Sequence, residues 1–465
     1  MKLLVIGLDG GTEQILEAFG CLERLKSKYP YRSHELDEDL FERGWAKLVT
    51  GLRGDENRGF YMYPDMTSKN FTTKFSLDLE EESGLWNRLS KERAVFVNVP
   101  TMTNVKNVPE GVKIVGSGGG GLNSLEGIPG FLIDNDLELE KLIKKHNYIF
   151  DIRIPTEKYH KVEELLNDLT IMENNRFNLF DELLEVNRSN FGMVVDRGVT
   201  IVQYLLMSVI QDVIDNGLEK ELLGANKEIV HSLVNFYEAL ADRIFKTIDR
   251  VNPKSFVITA DHSTVPHKMR ASVAALLALK SNKSVPIVKM SALLSQKNKA
   301  ILNQWLERLN LKSIVPAKRG KLFGNKYING VYVNDDRFDS LVAEDERNEL
   351  IEDFINWYNS LEFSVTKGSE AYRNEDGFGT HRICRPDIVF SNLQGVHFDN
   401  IGKSWLYTNE NYRSKFRDDL TLYKHAAVTG DKGAHPLCLT YGVEYCGIKV
   451  KDLRDVYSLI VAQYD

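Results

Sequence analysis

Cysteine, basic charge and long apolar runs are what this chain has little of, and each shortage removes a class of protein. The four cysteines among 465 residues, Cys21, Cys384, Cys438 and Cys446, form no Cys-x-x-Cys pair, so neither a zinc knuckle nor a disulfide framework is indicated. Free buried thiols are expected instead. Asp and Glu (66) outnumber Lys and Arg (59), and the net charge of −7 lacks the basic footprint of a nucleic-acid binder. No segment approaches the ~20 consecutive apolar residues needed to span a bilayer. Met1-Lys2 leads directly into a strand-like run that Asp9 interrupts, with no small-residue cleavage site. The expectation is a cytoplasmic protein that meets neither nucleic acid nor membrane; its oligomeric state is left open.

What the chain does have is material for a core. Hydrophobic residues make up 43% and charged residues 27%, as in an ordinary globular protein. Its length suits two or three average domains, or one α/β fold carrying insertions.

Two apolar runs end in ligand-type side chains. Ser255-Phe256-Val257-Ile258 leads to Thr259-Ala260-Asp261-His262, and Lys2–Leu8 stops at Asp9-Gly10-Gly11, where glycine permits a sharp turn. Sites in open α/β sheets lie at the carboxyl ends of strands. If these two strands are neighbours, Asp9, Asp261 and His262 converge. The plainer alternatives are an ordinary Asp-Gly turn and a helix N-cap followed by a surface histidine.

Further strand-like runs occur at Val95–Val99, Val112–Val115 and Gly192–Val195, alternating with helix-patterned stretches at Glu138–Lys145, Val162–Leu169, Phe177–Leu184, Ile201–Ile214 and Ile229–Ile248. That alternation predicts an α/β fold with a mostly parallel central sheet and helices on both faces. After His262 the texture changes. Helices are expected over 271–280, 291–310 and Glu344–Leu361, with a strand and turn at Tyr327–Asn334. Residues 290–375 read as an insertion or subdomain, and 1–289 with 376–465 as the core. The chain is expected to return to that core through Pro386–Phe390 and Leu437–Tyr441 and to end in a helix near Leu453–Gln463. The glycine run Gly116–Gly121 lacks the Lys-Ser/Thr ending of a P-loop and reads as a loop at the edge of the site.

Several short segments carry a resemblance by their order: Gly7-Leu8-Asp9-Gly10, Gly44–Gly51, Leu85-Trp86 through Asn98-Val99-Pro100, Ala260-Asp261-His262, Gly330–Asn334, Pro386–Val389 and Gly433-Ala434-His435. Over almost the full length the chain resembles the alkaline phosphatase superfamily, in its type I phosphodiesterase/nucleotide pyrophosphatase-like phosphohydrolase branch. The resemblance implies two divalent ions, roughly 4 Å apart, that activate a Thr or Ser hydroxyl and clamp the phosphoryl oxygens. A covalent phospho-enzyme is then hydrolysed. It further implies that one ion is held by Asp9, the nucleophile and the Asp261-His262 pair. The other would use a further Asp, a His shortly after it, and a final His, here His435.

The chain departs from that pattern twice. Counting back from Thr50-Gly51, the nucleophile position falls on Phe41, whose ring can neither attack phosphorus nor ligate a metal. The nearest upstream hydroxyl is Ser33, which serves only if His34–Arg43 is an insertion. After Gly192–Val195, an ungapped reading puts Thr200 and Tyr204 where the family has Asp and His, whereas a shortened loop keeps Asp196 as a ligand. His267 or His425 would then have to compensate. The candidate metal set is therefore Asp9, Asp261, His262 and His435, with Asp196 as a further candidate, and it suits one or two Zn²⁺ or Mn²⁺ ions.

Two functions are consistent with this set. One is a metal-dependent hydrolase of phosphate mono- or diesters with an atypical or missing nucleophile. The other is a non-catalytic or repurposed member of the fold that binds a phosphorylated ligand or a protein partner; a phosphomutase would also need the nucleophile. In either case the expected ligand is small and phosphorylated, and Arg43, Lys47, Lys268 and Arg270 are basic residues available to hold it.

Overall fold

The structure is a computed structural model. It describes residues 1–57, 59, 63–65, 70–72, 84–102, 105, 107–116, 137–149, 159–281, 320–325, 329–362, 364, 368–374, 385–391, 393, 395–399, 405–413 and 428–465. The first strand sets the plan. In Leu3–Leu8 (β1) every residue is buried, and alternate side chains enter two different apolar layers: Leu4, Ile6 and Leu8 one, Leu3 and Val5 the other. A strand buried on both faces belongs in the interior of a parallel sheet.

The remaining strands of that sheet are Arg32–Ser33 (β2), Ala94–Val97 (β3), Lys113–Val115 (β4), Phe191–Asp196 (β5), Ser255–Thr259 (β6) and Cys438–Tyr441. With Ser263–Pro266 as β7 and Gly430–Gly433 as β8, which pair with each other outside the sheet, Cys438–Tyr441 is β9. The order is β2-β9-β6-β1-β5-β3-β4. β1 lies parallel to β5 and β6, β5 to β3, and β3 to β4; β9 runs antiparallel to β6, and β2 antiparallel to β9. The expected mostly parallel sheet with helices on both faces is what forms. Residues of the Val162–Asn187, Gly198–Asn216 and Lys227–Val251 helices fill one layer, and those of Gly44–Thr50, Leu85–Arg88 and Leu453–Ala462 fill the other. By length and composition alone Gly198–Asn216 would pass for a membrane span, but 61% of its apolar window is buried in this core.

The two stretches expected at Val162–Leu169 and Phe177–Leu184 are one helix, Val162–Asn187. Their apolar pattern lapses at Glu173 and Arg176 because both are fully buried and pair with each other. A polar interruption that reads as a loop is here an ion pair inside the core.

The described residues divide into two units, one of Met1–Tyr61, Lys74–Pro266 and Glu410–Asp465, the other of Met62–Thr73 and His267–Asn409. In the second unit Gly330–Val333 pairs with Leu322–Gly324 and Ile388–Phe390, and Ala371–Arg373 completes a four-stranded sheet. Val331, Val333, Ile351, Phe354, Tyr358 and Ile388 form its core. Ile388–Phe390 thus pairs within this sheet and does not return to the central one, contrary to expectation. The preceding Asp387 fixes it there, accepting from Val333 N (2.7 Å) and Arg337 (2.6 Å) and pairing with Arg347. The expected insertion, 290–375, lies within the span of this unit. The helix expected over 291–310 and residues 117–121 of the glycine run fall outside the described residues.

Candidate metal centre

Asp9 follows β1, and Asp261 and His262 follow its neighbour β6, where Gly7 stands opposite Thr259. The parallel pairing brings both strand ends to the same edge. One ligand atom from each of the three buried residues lies within 4.8 Å of the others. Among the described residues this is the only group of three or more His, Cys, Asp or Glu side chains close enough to share an ion.

The second apolar layer supports the cluster. Trp45, on the helix Gly44–Thr50, donates its ring N–H to Asp9 Oδ2 at 3.2 Å. The ring reaches that point because residue 7 is glycine: a Cβ there would come within 2.5 Å of Trp45 Cη2 and 2.7 Å of Val195 Cγ2. Gly44 is required for the same kind of reason. A methyl group on it would overlap the Asp261 carbonyl oxygen and come within 2.8 Å of Asp261 Cβ. We expect Gly44→Ala to cost about 1–3 kcal/mol, as overpacking does, and to weaken divalent-ion binding by displacing Asp261. Urea unfolding and calorimetric titration read the two effects, and parental values in both would contradict the tight approach.

The crowding of the cluster is felt at Asp261. Burial, and then the neighbouring Asp9 carboxylate, push the Asp261 carboxyl above its ordinary range. His262 Nδ1 lies 2.8 Å from Ser263 O. A carbonyl can only accept, so Nδ1 carries the proton and donates it. In a neutral ring the lone pair of Nε2 then faces Asp9 Oδ1 at 3.9 Å and Asp261 Oδ1 at 3.8 Å, too far for hydrogen bonds. Electron-rich atoms gathered this way repel one another unless a cation stands between them. With metal–ligand distances of about 2.0–2.2 Å, the spacing fits a shared Zn²⁺ or Mn²⁺. The bond from Nδ1 to Ser263 O is of the kind that orients a histidine for metal binding.

Other residues complete the surroundings. Arg197 Nε lies 3.9 Å from Asp9 Oδ2. The helix that follows places Thr200 Oγ1 against Gly10 and stacks Tyr204 on the His262 ring, with centroids 6.0 Å apart. Thr264 donates its hydroxyl to Gly10 O at 3.0 Å. Thr200 thus lies against Gly10 and Tyr204 against His262.

Asp196 does not join it. Its backbone carbonyl accepts from Asp9 N at 2.9 Å, but its carboxylate meets Arg243 at 2.9 Å and Val199 N at 3.3 Å. The reason is strand parity. Asp196 pairs with Leu8, whose side chain enters the first layer, whereas Asp9, one residue further on, turns toward Trp45 in the second.

Ser33 is also elsewhere. It is exposed, donates to Glu13 Oε2 at 2.6 Å, and pairs with Leu439 at the sheet edge. Two strand spacings of about 4.8 Å and three residues of about 3.3 Å separate it from Asp261, roughly 14 Å in all. We expect Ser33→Ala to leave metal affinity and any turnover unchanged; loss of either, measured on protein of parental stability, would contradict that placement.

Phe41, at the expected nucleophile position, sits in the turn before Gly44–Thr50, its N–H donating to Asp39 Oδ1 at 2.9 Å. His435 is not in the cluster either: its side chain is 64% exposed, with Nδ1 3.0 Å from Leu36 O. Lys47 is already neutralised by Glu38 at 2.7 Å and Glu42 at 3.6 Å, both buried. Lys268 and Arg270 belong to the second unit.

The residue that sequence reasoning passed over is Lys432, directly opposite Thr264 in the β7–β8 ribbon. Burial draws its ammonium down to about 8, the Asp261 and Asp9 carboxylates work against that, and Arg43 adds to it. Its flanking glycines, Gly430 and Gly433, were the available signal.

No family model matches the chain, and no curated protein matches it. Solved structures do. Phosphonoacetate hydrolase from Sinorhizobium meliloti 1021 in complex with phosphonoformate superposes with a TM-score of 0.53 at 11% identity, over 100% of this chain and 96% of that one. Its complex with phosphonoacetate gives 0.51 at 11% identity, with the same coverage. Murine ectonucleotide pyrophosphatase/phosphodiesterase 5 superposes more loosely, at 0.46 and 11% identity over 99% of this chain and 94% of that one, and adds no weight. The chain thus shares the fold of phosphonoacetate hydrolase, an alkaline-phosphatase-like α/β architecture.

Proposed function

We propose that the protein is a metal-dependent hydrolase of phosphoric or phosphonic esters and anions, holding one divalent ion on Asp9, Asp261 and His262. The observation that carries this is the convergence of one ligand atom from each of these buried residues within 4.8 Å, with His262 Nδ1 engaged by Ser263 O and Nε2 left toward the two carboxylates at 3.8–3.9 Å. Three protein ligands leave coordination positions open to a ligand, as catalytic sites do. A bound ion would supply Lewis-acid polarisation of a phosphoryl oxygen. The chain's own residues would orient the ligand and limit water: Trp45 fixes Asp9, Tyr204 covers one face of His262, and Arg43, Arg197 and Lys432 bring positive charge.

Thr200 and Tyr204 offer neither carboxylate nor imidazole for a second ion. With Phe41 before the Gly44 helix and Ser33 at the far edge, the reaction would proceed without a covalent phospho-enzyme. Those two departures also favour a second reading, a repurposed member that binds a phosphorylated ligand without turning it over.

The test is an assay of phosphate monoesters, phosphate diesters and phosphonoacetate with Zn²⁺, Mn²⁺ and Mg²⁺, alongside mass spectrometry of the quenched protein. Turnover without a phosphorylated side chain is the expected result. Ligand binding with no turnover on any substrate would leave the binding reading, and a trapped phospho-enzyme would contradict the missing nucleophile.

A further inference from the structure

Lys432 lies on β8, a four-residue strand that pairs antiparallel with β7, immediately after His262. Residues directly opposed in an antiparallel pair present their side chains on the same face. Its opposite is Thr264, whose hydroxyl bonds Gly10 O, so that face is the one bordering the metal ligands.

The backbone here has little freedom. A Cβ on Gly430 would come within 2.6 Å of Gln203 O and 3.1 Å of Tyr204 Cα, and one on Gly433 within 2.6 Å of Val265 Cγ1. The ribbon therefore lies flat against the helix that carries Thr200 and Tyr204. Lys432 is half-buried as a residue, and the Asp261 and Asp9 carboxylates act on its ammonium. A cation held opposite Thr264, on the face that borders Gly10 and Asp9, has the attributes of an anion-binding group.

We propose that Lys432 holds the phosphoryl or phosphonyl oxyanion of the ligand beside the ion, as the fixed positive charge at the place where Thr200 and Tyr204 provide no second metal. The assignment rests on the metal reading above and extends it to the ligand. Lys432 offers three N–H donors as a compact charge and no acceptor, which suits an oxyanion and does not suit a neutral or cationic ligand. Because an ammonium opposes a nearby divalent ion, it also weakens metal binding in the absence of an anion and favours the ion and the anion together.

The experiment uses the full chain, Mn²⁺ and inorganic phosphate, with Lys432→Met and Lys432→Arg as variants. Calorimetric titration gives Mn²⁺ affinity without phosphate, then phosphate affinity of the Mn²⁺-loaded protein. The expected result is a parental or tighter Mn²⁺ affinity in Lys432→Met, together with phosphate affinity weaker by roughly 10- to 100-fold, the worth of a charge-assisted hydrogen bond. Lys432→Arg should recover most of the phosphate affinity, which loss of packing alone would not permit. Unchanged phosphate affinity in Lys432→Met would overturn the assignment and leave Lys432 as a counter-ion for Asp9 and Asp261. If Lys432→Met does not fold, a Lys432→Arg protein with no phosphate affinity overturns it equally. Failure of the parent to bind Mn²⁺ would instead overturn the metal reading.

Discussion

Asp261→Asn should abolish tight Mn²⁺ or Zn²⁺ binding while leaving the metal-free fold at least as stable as the parent. Losing an outer partner of a metal ligand already costs roughly 10- to 100-fold in affinity, and a ligand itself should cost more. The stability half follows from the charge state. Burial and Asp9 raise the Asp261 carboxyl above its value of 3.8 in the unfolded chain. A group raised on folding contributes stability below the unfolded value and loses that contribution as pH rises through the folded one. At neutral pH an ionised Asp261 therefore works against the metal-free fold, and asparagine, which keeps an acceptor for Gly10 N, removes the charge. Calorimetric titration and urea unfolding of chelator-treated protein read the two halves. Parental metal affinity would remove Asp261 from the site, and a large loss of metal-free stability would show its charge to be structural.

Asp196→Ala should do the reverse, destabilising the fold by about 3–5 kcal/mol, the usual penalty for leaving a buried charge without its partner. Asp196 and Arg243 are 0% and 5% exposed, and beside Asp196 the Arg243 guanidinium is bonded to Asn174 Oδ1 at 3.0 Å. Asp196 also accepts from Val199 N at the start of the Gly198–Asn216 helix, near the Glu173 carboxylate that takes the N–H groups of Arg197 and Gly198 at 3.1 and 3.0 Å. Removing both charges together, as Asp196→Leu with Arg243→Met, should recover much of the loss, since a well-packed apolar pair can replace a buried ion pair. Metal affinity of whatever fraction folds should stay within a few-fold of the parent. Loss of metal binding at unchanged stability would instead make Asp196 a ligand.

What could be read from the residues was the order of buried strands and the ligand-type side chains at two of their ends. β1 is apolar throughout and β6 is apolar from Phe256 to Ile258, and both runs lead to polar, turn-forming residues, signals that need no knowledge of pairing. Which way a side chain turns does need it. Asp196 and Asp9 both end buried strands, and the Leu8–Asp196 register alone sends their carboxylates to opposite layers. Lys432 and His435 differ by three positions in one short segment, and only the pairing of Lys432 with Thr264 shows which of them meets the cluster. Ile388–Phe390 is a three-residue apolar run whose sheet is decided by the Asp387 bonds to Val333, Arg337 and Arg347. At Glu173 and Arg176 the buried ion pair erases the periodicity by which a continuous helix is recognised.

The proposed site holds a single ion on Asp9, Asp261 and His262 and is bordered by Lys432 in place of a second metal. Elemental analysis of the full chain, equilibrated with excess Zn²⁺ or Mn²⁺ and freed of unbound ion, tests it most directly. One ion per chain is expected, falling to none in Asp261→Asn; two tightly held ions, or none in the parent protein, would contradict a single-ion site.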